Sequence, residues 1–196
     1  PANIVAETGM DALTHAVECY INRGLDDFTA PLALAAAAGL CEYLPRSYRD
    51  KTIADREKVH HYQCLAGLAF NNVGLGAAHG IAHAVGGLFG LGHGLINAIV
   101  LPHVLAFNAR DPWVKGQLDR LAREAGVADF VAAVRRLNQT IGIPASFRAA
   151  GVGEIDFAAG LSTLTANSLL GATRVNPVPF SADEMAALLQ RAYRDG

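Results

Sequence analysis

Residues 8–18 read Thr8-Gly9-Met10-Asp11-Ala12-Leu13-Thr14-His15-Ala16-Val17-Glu18. Apolar Met10, Leu13 and Val17 recur at spacings of three and four, the period of a helix that buries one face. The same period runs through residues 8–22, 27–43 and 52–71, whereas two-residue alternation is nearly absent. An all-α fold is therefore expected. Within the second helix, the Ala-rich residues 32–38 combine high helix propensity with small side chains, so this helix should pack closely on a neighbour. Pro31 falls where a first-turn proline is tolerated.

After Asn71 the texture changes. Gly74, Gly76, Gly80, Gly86, Gly87, Gly90, Gly92 and Gly94 punctuate an apolar stretch that carries three histidines, which predicts short helices joined by tight glycine turns. Helical periodicity resumes over residues 95–107, where Pro102 removes a backbone donor and predicts a kink or a break. Residues 108–112 are the expected boundary between two helical subdomains, residues 1–110 and 111–196. In the second, helical signals cover residues 113–124, 127–140, 147–150, 155–170 and 181–194, and Ser181 with Glu184 forms a capping box. The chain shows neither an internal repeat nor a low-complexity tract.

Composition narrows the class. Of 196 residues, 52% are hydrophobic and 17% charged, and the mean hydropathy is +0.24, the balance of a well-buried globular protein and the reverse of a disordered one. Sixteen Lys and Arg against eighteen Asp and Glu give a net charge of -2, with no basic excess to neutralise a phosphate backbone, so nucleic-acid binding is disfavoured. The apolar stretches 32–40 and 81–100 are cut by Gly, His, Cys or Asn, so no membrane span is expected. No secretory signal is expected from residue 1 onward. Cys19, Cys41 and Cys64 are odd in number and not closely paired, which fits reduced thiols of a cytoplasmic protein and small core residues.

The histidines carry the chemistry. Asp11 and His15 lie one helical turn apart and converge on one face. Taken alone, the pair also fits a capping pattern with Thr8 and a structural histidine. In His79-Gly80-Ile81-Ala82-His83 two more imidazoles share a face, and His93 follows between Gly92 and Gly94. Burying these rings among Val85, Leu88, Phe89, Leu91, Ile96 and Ile99 is costly unless each finds a partner. One metal ion would serve several rings at once; separate hydrogen bonds to backbone carbonyls are the other solution. His60 and His61 lie in a polar helical stretch and should be solvated, and His103, after a proline, should bond a backbone group.

Residues 8–18, the string Asn72-Val73-Gly74-Leu75-Gly76-Ala77-Ala78-His79-Gly80-Ile81-Ala82-His83, Gly92-His93-Gly94 and Leu101-Pro102-His103-Val104 together resemble the iron-containing (group III) alcohol dehydrogenases. That family includes lactaldehyde reductase and the propanediol and butanol dehydrogenases. Gly142-Ile143-Pro144 and Asn176-Pro177 extend the resemblance over essentially the whole chain. It implies the helical C-terminal domain of the iron-containing alcohol dehydrogenase and dehydroquinate synthase-like fold. It also implies a divalent metal held by Asp11, His15, His79 and His93. Imidazoles with one carboxylate suit Fe(II), and equally Zn(II) as the alternative. His83 and His93 would face the cofactor, with His83 as a proton relay. The implied reaction interconverts an alcohol and an aldehyde or ketone with NAD or NADP, the metal acting as Lewis acid. Phe70 and Asn71 fall near the family's substrate cleft, but an aromatic at a helix end reads as core, so both stay outside the expected site.

Family members also carry an N-terminal dinucleotide-binding α/β domain. Gly86 to Gly94 do not spell a dinucleotide fingerprint, no strand precedes them, and no P-loop lysine follows. The chain is thus expected to be the C-terminal domain of a longer enzyme, or a shortened relative. Its expected partners are the missing nucleotide-binding domain, a small alcohol or aldehyde substrate and, as an open matter, further copies in a homo-oligomer. A second reading is a metal-binding domain without catalytic activity on its own. A third, metal-assisted hydrolysis, lacks a carboxylate base spaced beside the histidines. Val178, where the family often has Arg, and Leu169-Leu170, in place of a more polar pattern, bear on substrate identity.

Overall fold

The computed structural model describes residues 1–194, and within them every regular element is helical. In order these are α1 (Ala2–Tyr20), α2 (Thr29–Asp50), α3 (Ile53–Val73), α4 (Ala77–Phe89), α5 (His93–Asn108), α6 (Pro112–Glu124), α7 (Phe130–Thr140), α8 (Glu154–Ser168), a 3-10 turn (Gly171–Val175) and α9 (Ala182–Arg194). Helices α1, α2 and α3 pack together, and α5 lies against α1, α4, α7 and α9. Helix α4 is held between α5, α8 and the 3-10 turn. Ala33, Ala36 and Ala37 are fully buried, as the Ala-rich stretch predicts, and Gly9 lets α1 approach Leu44 of α2. No helix among the described residues is long and apolar enough to cross a membrane.

Several expectations are met with a visible cause. Gly74 (φ +100°) and Gly90 (φ +68°) take backbone conformations that L-residues avoid, and they bracket α4 as turns. The capping box forms in both directions: Ser181 N donates to Glu184 Oε2 (2.9 Å) and Glu184 N to Ser181 Oγ (3.2 Å). His60 and His61 are exposed, as their polar helical stretch predicts.

Others need correction. Helix α1 starts at Ala2, and Thr8 lies inside it with its hydroxyl donating to Ile4 O (2.7 Å), so Thr8 and Asp11 do not cap a helix. Helix α2 runs past residue 43 to Asp50, through Pro45. Helix α5 runs unbroken through Pro102. The missing proline N–H leaves Ala98 O free, and Asn138 Nδ2 of α7 donates to it at 2.6 Å, so a tertiary hydrogen bond replaces the helical one. Residues 147–150 form turns rather than a helix, with Phe147 N and Arg148 N donating to Ala192 O and Tyr193 O of α9. Cys19 is buried, but Cys41 is half-buried and Cys64 is exposed on the outer face of α3.

Candidate metal centre

Three helices converge on one point. Helix α1 presents Asp11, His15 and Glu18, at i, i+4 and i+7, from one face; α4 contributes His79 from its first turn and α5 contributes His93. Gly94 permits the approach of α5, because a Cβ there would overlap the Glu7 carbonyl of α1 and lie 3.3 Å from Asp11 Cβ.

Asp11 sits at the centre. Its Oδ1 is 3.7 Å from His79 Nε2 and 3.4 Å from His93 Nε2, and its Oδ2 is 3.8 Å from His15 Nδ1. Asp11, His15 and His79 each offer a ligand atom within 4.8 Å of the other two. The His15 and His79 ring centroids are 4.4 Å apart, those of His79 and His93 5.4 Å. His79 is almost wholly buried, whereas His93 lies on the open side, 41% exposed. His83 is exposed and stacks on His93 with centroids 5.2 Å apart. It borders a groove of about 380 Å³ between α4 and α8 that also meets Leu88, Thr163, Asn167 and Leu170.

The donor set suits a divalent cation. His79 Nε2 is buried and has no hydrogen-bond partner. Its 3.7 Å separation from Asp11 is too long for a hydrogen bond, so a ring nitrogen and a carboxylate oxygen face each other across space that a cation would fill on displacing the ring proton. Charge at the site is consistent. Burial pushes the Asp11 carboxyl up, but the His79 and His15 rings and the Asn97 amide outweigh it, and the net value lies below the ordinary one. Burial, and then the charge of His79, pull His15 down to about 4. His93 is lowered by burial, against the attraction of Asp11. Burial also pulls His79 down, but Asp11 and Glu18 together overcome it and raise the ring to about 9. At neutral pH, Asp11 is thus ionised and His15 and His93 are uncharged, the forms that bind metal, while His79 holds a proton that an incoming cation would displace.

Three residues at the site were not among those expected. Glu18, 1% exposed, accepts from Gly76 N (2.9 Å), Ala78 N (2.7 Å) and His79 Nδ1 (2.7 Å). A carboxylate on the apolar face beside Leu13 and Val17 was the available signal. Asn97, fully buried, places Nδ2 2.7 Å from Asp11 Oδ1 and 3.1 Å from His93 Nε2. An amide in the apolar run of α5, four residues after His93, was its signal. Phe70 is not merely core: its ring stacks on His15 at 4.4 Å. With Asn71, Leu75 and Val175 it lines an open groove of about 510 Å³.

Comparison with known proteins follows the same outline. The chain is 36% identical over 206 residues to the NADPH-dependent butanol dehydrogenase of Clostridium saccharobutylicum, with 98% of this chain and 52% of that protein covered. It is 38% identical over 203 residues to a 1-propanol dehydrogenase of Salmonella typhimurium, with 97% and 55% covered. Among solved structures, the iron-containing alcohol dehydrogenase of Thermococcus thioreducens superposes with a TM-score of 0.92 at 29% identity, covering 99% of this chain and 51% of that one. A 1,3-propanediol oxidoreductase does so with a TM-score of 0.89 at 33% identity, covering 98% and 52%. The chain spans about half the length of the relatives it matches. Residues 5–193 match the Fe-containing alcohol dehydrogenase family, C-terminal part. With that match running almost from end to end, and the helices superposing on those of an iron-containing enzyme, the chain belongs to the Fe-containing alcohol dehydrogenase family and corresponds to its C-terminal, all-helical domain.

Proposed function

We propose that Asp11, His15, His79 and His93 hold one divalent cation, iron or alternatively zinc, and that this domain serves an enzyme that interconverts an alcohol and an aldehyde or ketone with NAD or NADP. The observation that carries the reading is the buried, partnerless His79 Nε2 facing the Asp11 carboxylate. Held by these residues, such an ion would supply Lewis-acid chemistry that lowers the pKa of an alcohol.

The chain's own residues do the rest. Asp11 and His15 come from one helix face and the buried His79 from another element, which fixes their geometry. His93, on the open side, leaves room there for a small oxygen ligand. Phe70 stacks on His15, and the open groove it shares with Leu75 and Val175 offers apolar contact to a short carbon skeleton. His83, exposed and stacked on His93, is placed to hand a proton to solvent. The three free cysteines suit a reducing, cytoplasmic setting.

A second reading, metal binding without turnover by this chain alone, is favoured by its spanning about half the length of its relatives. Titration with NADH and NADPH separates the two: tight binding with turnover by the chain alone would exclude the second. Metal content tests the ligand set. Asp11→Asn and His93→Ala should each lower occupancy sharply, and content equal to wild type in both would remove the assignment.

A further inference from the structure

We infer that Glu18 is a positioning residue: it fixes His79 in the Nδ1–H form and aims the bare Nε2 at the cation site, so that metal affinity is tied to the first turn of α4. This rests on the ligand set proposed above, of which His79 is a member. Glu18 and His79 are both almost fully buried, and their 2.7 Å contact is the shortest that either ring nitrogen makes. An ionised carboxylate only accepts, so the nitrogen facing it must carry the proton. Once the ring is neutral, the lone pair is confined to Nε2, on the side of Asp11.

The same carboxylate also grips the backbone. Glu18 Oε2 accepts from Gly76 N and Glu18 Oε1 from Ala78 N, amides at the start of α4 that lack a helical acceptor. A Cβ at Gly76 would lie 2.8 Å from Glu18 Oε1, so the glycine is what allows the carboxylate this close. One buried side chain therefore sets where α4 begins, which way the His79 ring faces and which nitrogen is bare. Glutamine at this position disturbs a different pair of contacts in each of its two orientations. If its amide nitrogen takes the place of Oε2, it opposes the Gly76 N–H, donates to Nδ1 and shifts the ring proton to Nε2, the ligating atom. If it takes the place of Oε1, it opposes the Ala78 N–H.

The test uses the 196-residue chain with Zn(II) and 15N-labelled histidine. Glu18→Gln should weaken Zn(II) binding by about 10- to 100-fold, the range for partners of ligating histidines. In the metal-free chain, above the pH at which the ring becomes neutral, the His79 15N shifts should report Nδ1–H with an unprotonated Nε2, and Glu18→Gln should populate the Nε2–H form. A variant that melts earlier but keeps wild-type tautomer and affinity would overturn the inference, leaving Glu18 only a helix anchor. Should the variant fail to fold, the wild-type spectrum decides alone, since an Nε2–H ring there would also overturn it. Absence of Zn(II) binding by the wild-type chain would instead sink the metal reading, and the wild-type spectrum would still decide the role of Glu18.

Discussion

His79 and His15 lie 4.4 Å apart and are driven in opposite directions. Both lose by burial, but His79 faces two carboxylates and rises to about 9, whereas His15 falls to about 4. The consequence for the metal-free chain has a definite sign. Stability from His79 is fully present below its unfolded value near 6.5 and is lost as pH rises through about 9. The folded state resists protonation of His15, so stability is also lost as pH falls from about 6.5 towards 4. Urea midpoints of the metal-free chain should therefore peak near pH 6.5. Saturating Zn(II) should remove the alkaline fall, because the ion displaces the His79 proton. A metal-free midpoint that keeps climbing to pH 9 would contradict this. Spacings of four made Asp11 with His15 and His79 with His83 legible as pairs sharing a helix face, whereas the grouping of Asp11, His15, His79 and His93 came from the family resemblance. Asn97 was not legible, because its meaning depends on α5 reaching Asp11 of α1, a contact between residues 86 positions apart. Phe70 failed for a related reason: a ring at a helix end looks the same whether it meets core or a histidine.

Helix α5 is the element in which local and tertiary rules conflict. Pro102 argues for a break, and the helix continues because Asn138 of α7 supplies the missing donor to Ala98 O. Asn138→Ala would leave that buried carbonyl unpaired and should cost about 1–3 kcal/mol, read as a lower urea midpoint; an unchanged midpoint would show that the bond does not support the helix. The start of α5 is equally constrained. Gly94→Ala would drive a methyl into the Glu7 carbonyl, push α5 off α1 and carry the adjacent His93 away from Asp11. Both the melting temperature and Zn(II) affinity should fall, and a variant with wild-type affinity would show that His93 does not depend on this approach. The existence of α1 to α3 was legible from period, though not the start of α1 or the end of α2, and the start of α9 was legible from its capping box. Residues 147–150 were not, since the amides of Phe147 and Arg148 are claimed by carbonyls of α9, a pairing that local propensity cannot foresee.

At the scale of the molecule, the all-helical architecture follows from composition and period, and what it accomplishes is the meeting of α1, α4 and α5 at one point. Apolar packing drives α1 against α5 and α4 against α5, and that packing brings a carboxylate and three imidazoles together, with His79 buried among them. The groove beside Phe70 and the one beside His83 open on either flank of this cluster. The function proposed above depends on a single cation bound by four side chains from three helices. Anomalous diffraction from crystals of the chain grown with Zn(II) tests it most directly. The account predicts one strong peak about 2.0–2.2 Å from an Asp11 oxygen and from ring nitrogens of His15, His79 and His93. A peak elsewhere, or one touching Asp11 without the imidazoles, would contradict it.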